Sequence, residues 1–126
     1  MITKMKKIIV LLLILCPMFV YSHGVVLNDH AKIKEFSSFR ILGILDLRVE
    51  KDTTVLPKYR TLNHEGGMSV SVLEILKDDV YDGQHGKWLW VLLTAPMWVD
   101  SGDWIESYQK FLIFLPDDMT IYDFED

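Results

Sequence analysis

Met68, Val70 and Val72 alternate with Ser69 and Ser71 and then run on into Leu73-Glu74-Ile75-Leu76. A period of two is that of a half-buried strand. Gly66-Gly67 opens it, and Lys77 to Lys87, with Asp78-Asp79 and Asp82-Gly83-Gln84-His85-Gly86, reads as the loop of a hairpin. Trp88 to Leu93 is an unbroken apolar run, which predicts a central strand that is buried or has both faces met by aromatic partners. Phe111 to Leu115 is a similar run, closed by Pro116, which cannot donate to a ladder and marks a strand end.

From Ile44 onward short segments rich in β-branched and aromatic residues are punctuated by Gly, Asn, Asp and Pro, the pattern of an all-β domain. The stretch His23 to Gly43 is ambiguous. Its apolar run Val25-Val26-Leu27 is followed by Asn28-Asp29, which offers a cap to a brief helix through Phe36, and helix and strand both stay open there. The chain shows no internal repeat and no interdomain linker. Its end is an acidic tail, Asp117, Asp118, Asp123, Glu125 and Asp126 set around Met119, Ile121, Tyr122 and Phe124.

The first 22 residues follow a different logic. Lys4, Lys6 and Lys7 precede the apolar run Ile8 to Leu15 with no acid, and Val20-Tyr21-Ser22 supplies a cleavage site, so a secretory signal peptide ending at Ser22 is expected. The apolar region is too short to span a ~30 Å hydrocarbon core as a permanent anchor, so no membrane span is expected after cleavage. Cys16 would be the lipid-attachment residue of a lipoprotein, but Leu15 before it is not small, which argues against that anchor. The expected organisation is a leader (1–22), an N-terminal segment (23–44), a barrel (45–115) and an acidic tail (116–126) packing on or near it. The product is expected to be exported, periplasmic or secreted.

Of the 126 residues 50% are apolar, 12% aromatic and 25% charged, which excludes a disordered or low-complexity chain and bounds it at one small domain. Removing the leader's three lysines leaves ten basic residues against eighteen acids, a formal net charge of −8 on 104 residues. That balance repels phosphate backbones and anionic headgroups, so neither nucleic acid nor a membrane surface is an expected partner. The one cysteine lies in the leader, so the exported domain has no disulfide, no thiolate nucleophile and no cysteine-ligated metal.

Leu45-Asp46-Leu47-Arg48, Gly67 to Leu73, Gly86-Lys87-Trp88-Leu89-Trp90-Val91 and Trp104-Ile105-Glu106-Ser107-Tyr108 resemble, in order, the strands of the bacterial Src-homology-3-like family. In that family they read Leu-Asn-Val-Arg, Gly-x-x-Val-x-Val-Leu, Gly-x-Trp-x-x-Val and Gly-Trp-Val-x-x-x-Tyr-Leu. The resemblance implies a small barrel of five to six short strands, here with an extra C-terminal strand, and binding of cell-wall peptide or of a partner protein. Asp103 stands where the family has glycine before the closing tryptophan, and Thr94 to Asp103 replaces a tight turn.

Trp88, Trp90, Trp104 and Tyr108 are candidates to line an aromatic groove for an extended peptide. Alternation puts Trp88 and Trp90 on one side of their strand, so one of them is expected to be exposed or covered by the C-terminal segment. Met97, Trp98 and Val99 fall in an apolar loop after Pro96, and Trp98 either contacts a partner or folds back over the open end of the barrel. The ligand-binding candidates are thus Trp88, Met97, Trp98, Trp104 and Tyr108. Asp78, Asp79, Asp82, Asp100, Asp103 and Glu106 are either a solvated surface or a face that docks a basic partner.

Asp78-Asp79-x-x-Asp82-Gly83 lacks the spacing and closing glutamate of an EF-hand loop, so calcium is not expected. His23, at the mature terminus, offers an amine and an imidazole to copper, with His30, His64 or His85 as a second ligand, but no methionine-rich or cysteine set supports it. No Gly-x-Ser-x-Gly, Walker or His-Glu-x-x-His motif occurs, so an enzyme is not expected and no cofactor is assigned. The expectation is an envelope binding module that recognises a wall peptide or a protein partner through aromatic residues. The alternative is a periplasmic inhibitor or immunity protein whose acidic face covers a basic hydrolase or toxin.

Overall fold

The strand that begins at Met68 continues into the expected loop. In a computed structural model, which describes residues 25 to 26, 30 to 62 and 67 to 123, strand β5 runs Met68–Tyr81 and β6 runs Gln84–Leu93. Only Asp82 and Gly83 lie between them, with φ of 52° and 75°. Two consecutive positive φ values make the type I′ turn, whose twist matches that of paired strands, and Asp-Gly is among its favoured sequences. The segment expected as a loop is therefore the distal half of a hairpin, with Asp78 opposite Lys87 and Asp79 opposite Gly86.

The other strands are β1 (Val25–Val26), β2 (Ser38–Leu42), β3 (Asp46–Leu47), β4 (Tyr59–Arg60), β7 (Met97–Trp98), β8 (Trp104–Ile105), β9 (Lys110–Pro116) and β10 (Thr120–Asp123). Six of them form one antiparallel sheet in the order β1-β10-β2-β5-β6-β9. The all-β class expected from the punctuation is what the structure has. The ladder does not close, since the outer strands β1 and β9 do not pair with each other among the described residues. Two short pairs, β3 with β4 and β7 with β8, are tied in by the bridges Arg48–Leu112 and Thr61–Val99.

Instead of a helix through Phe36 there is one 3-10 turn, His30–Lys32, and the rest of that ambiguous stretch includes β2, an interior strand. Asn28 and Asp29, its expected cap, lie outside the described residues, as do the leader with Cys16, His23, His64, Gly66 and Phe124 to Asp126. Residues 120–123, expected in a tail, pair with β2 on one side and β1 on the other. Ile121 there is fully buried opposite Ile41, and burying a side chain of this size stabilises by about 1.5–3 kcal/mol.

The sheet buries both faces where β6 meets β9. Leu89, Val91 and Leu93 point with Phe111, Ile113 and Leu115 into the main core, while Trp88, Leu112 and Phe114 form a second cluster on the opposite face. Period-two alternation requires this of two unbroken apolar runs laid side by side. Bulges in β5 at Val72/Glu74 and Ile75/Lys77 let Ile75 face the main core and Leu76 the second cluster. Among the described residues no helix is long and apolar enough to cross a membrane.

Candidate functional site

Pro96 ends one ladder, and the next two residues begin another. In the β7–β8 pair Met97 stands opposite Ile105 and Trp98 opposite Trp104. Met97 and Ile105 are buried, whereas Trp98 and Trp104 are 55% and 45% exposed. The two indoles meet edge to face, centroids 4.9 Å apart at 61°, an arrangement favoured by the ring quadrupoles. Met97-Trp98 is thus a strand and not a loop, and Trp98 does not close over the core.

The indole pair flanks a groove of about 400 Å³ whose wall includes Leu62, Ala95 and Pro96, with Met97 contributing from the buried side. Of the acids of this region, Glu106 alone bonds a ring among the described residues. Glu106 accepts the Trp104 indole N–H at 3.1 Å, Asp103 accepts the Ser101 hydroxyl at 2.8 Å, and Asp100 accepts the Arg60 amide at 3.2 Å. None of these carboxylates lines the groove, whose charged lining residue is Arg40, so the groove offers a mainly apolar, aromatic-walled surface to a ligand. Tyr108 is 74% exposed at a φ of 71° and is not part of the groove wall.

Trp88 is 1% exposed and belongs to the second cluster, not to the ligand surface expected of it. Tyr81 and Phe114 pack on its ring with centroids 5.2 and 5.1 Å away, so the aromatic groove of Trp88, Trp90, Trp104 and Tyr108 does not exist as one surface. Trp90 is half-buried against the same cluster. Of the expected ligand residues the structure brings together Met97, Trp98 and Trp104.

The remaining acids gather at the far end of the β5–β6 hairpin. Asp78 pairs with Lys87 at 3.3 Å, Asp82 sits in the turn, and Asp79 accepts the Trp88 indole N–H at 2.9 Å. The Trp88 bond above all, and then the Val80 amide, holds the Asp79 carboxyl below the ordinary carboxylate value. His85 is paired with Asp117, and His30 Nε2 donates to the Met119 carbonyl at 2.8 Å. Among the described residues no three histidine, cysteine or acidic side chains are grouped as metal ligands.

Arg48 carried no signal in the sequence beyond its place in a strand motif, yet it is 4% exposed. Its Nε donates to the Val55 carbonyl at 2.8 Å and its guanidinium to the Tyr81 hydroxyl at 3.1 Å. The Trp88 and Tyr81 rings lie 5.0 and 5.4 Å from its central carbon. Only the fold could reveal this, because Tyr81 and Trp88, one on each strand of the β5–β6 hairpin, lie more than thirty residues from Arg48 in the chain.

No family model, curated protein or solved structure matches the chain.

Proposed function

We propose that this protein is an exported, non-enzymatic binding module of the bacterial envelope, built on an Src-homology-3-like framework, that takes a wall peptide or a partner protein in the groove beside Trp98 and Trp104. One observation carries the reading: two large indoles, 55% and 45% exposed, pack edge to face on the wall of an open groove. Rigid rings of this kind offer contact area at low conformational cost. The framework is supported by the order of the four strand motifs and by the β5–β6 hairpin carrying the second and third of them.

The carboxylate of Glu106 on the Trp104 indole, with Asp100 and Asp103 exposed in the turn that joins β7 to β8, favours a second reading, an inhibitor or immunity protein that docks on a basic hydrolase or toxin. One experiment separates the two: capture from envelope extract at low and moderate salt, with sedimentation on purified peptidoglycan alongside. Salt-insensitive retention on peptidoglycan that is lost in Trp98→Ala supports the wall module. A single basic protein shed as salt rises supports the inhibitor. Binding unaffected by Trp98→Ala in both arms sinks the groove as the site.

A further inference from the structure

We propose that the cleft in which Arg48 lies is a binding site for a single carboxylate, either the free C-terminus of a short peptide or a small free acid. This site is separate from the Trp98–Trp104 groove and does not rest on the function proposed for it. The cleft measures about 140 Å³, and Arg48, Arg60, Tyr81, Gln84, Asp46 and Asp82 are among its lining residues. A guanidinium has five N–H donors, and the two bonds of Arg48 go to neutral oxygens, the Val55 carbonyl and the Tyr81 hydroxyl. Among the described residues no carboxylate forms an ion pair with it.

Buried cations are ordinarily paired with an anion. Here two aromatic rings hold the guanidinium in place, which fixes the direction of its remaining donors without supplying a counter-charge. Arg60, the other cation of the cleft, is engaged by Asp46 at 3.7 Å. Asp82 stands in the exposed turn. One unmatched, planar, preorganised cation suits a planar monoanion, and carboxylate matches its fork in two parallel bonds. The two acids of the cleft disfavour a doubly charged phosphate.

The test is a titration of the isotope-labelled whole protein, read at the Arg48 Nε–H and Trp88 indole N–H resonances, with N-acetyl-Ala-Ala, its C-terminal carboxamide and acetate as probes. The free acid shifts both signals, and the carboxamide binds at least about tenfold more weakly. Acetate matching the dipeptide assigns the site to free acids, and acetate binding far more weakly assigns it to peptide ends. Asp82→Asn, which suits a turn residue at positive φ and removes a like charge, tightens binding about threefold. Arg48→Met abolishes binding, and because that variant removes a buried anchor, the Asp82→Asn result stands independently of whether it folds. Carboxamide and acid binding alike, neither probe moving the Arg48 signal, or loss of the response in Trp98→Ala would overturn the proposal.

Discussion

The indole N–H of Trp88 donates to the carboxylate of Asp79 across the β5–β6 hairpin at 2.9 Å. A ring that strand patterning made a candidate for ligand contact is thereby inside the protein, with its one polar atom satisfied by an acid from the neighbouring strand. Buried tryptophans normally need such a partner. Asp79 in turn is a structural acid more than a docking one.

Replacing Trp88 and Trp98 by alanine separates these two kinds of tryptophan. Trp88→Ala lowers stability by about 3–5 kcal/mol, as expected for a large ring removed from a packed cluster. Trp98→Ala, exposed on one face, lowers stability by no more than about 1.5 kcal/mol but weakens partner capture by about 2 kcal/mol or more. Urea unfolding followed by far-UV circular dichroism measures the first quantity, and titration of the captured partner the second.

Asp79 also makes stability depend on pH. Because its folded-state carboxyl titrates below the ordinary value, its contribution is fully present above the unfolded value of about 3.9. That contribution is lost as pH falls through the lower folded value. The urea midpoint of the native protein should therefore fall more steeply in acid than that of Asp79→Asn, and the two should converge at the lowest pH. Parallel curves from pH 7 to pH 2 would contradict the role given to this carboxylate.

Gly86 lies in β6 opposite Pro116. A Cβ there would stand 2.3 Å from the Leu115 carbonyl oxygen and 2.8 Å from the Phe114 ring. Backbone cannot move aside as a flexible side-chain end can, so Gly86→Ala destabilises by about 1–3 kcal/mol. Calorimetry of the single variant tests this, and an unchanged melting temperature would mean that β6 and β9 lie farther apart.

Trp98 and Trp104 should be coupled. A double-mutant cycle to alanine gives an interaction energy of about 0.5–1.5 kcal/mol in thermal stability if the edge-to-face contact at 4.9 Å persists in solution. A coupling near zero would indicate that the rings move independently.

Strand existence was legible where it rested on local pattern. Ser69 and Ser71 between aliphatic neighbours announced β5, and Pro116 announced the end of β9. Lys77, Asp78 and Asp79 read as loop because their strand propensity is low, yet cross-strand partners Lys87 and Trp88 hold them in the ladder, a tertiary effect no short window contains. Trp88 and Trp90 were placed on one face by alternation, but which ring is covered depends on Leu112 and Phe114, over twenty residues away. Pro96 suggested a loop, whereas the backbone resumes pairing at the next residue. The burial of Arg48 depends on three segments meeting and left no trace in composition.

The position of β10 sets an order of assembly. Residues 120 to 123 pair with residues 39 to 42, a separation of about eighty residues, and contacts so distant in sequence are slow to form because the intervening chain must first be gathered. A nascent chain that has not yet reached Thr120 lacks the partner for one side of β2. Until those last strand residues arrive, the amide and carbonyl groups of Phe39 to Leu42 form an open edge on which another strand can pair.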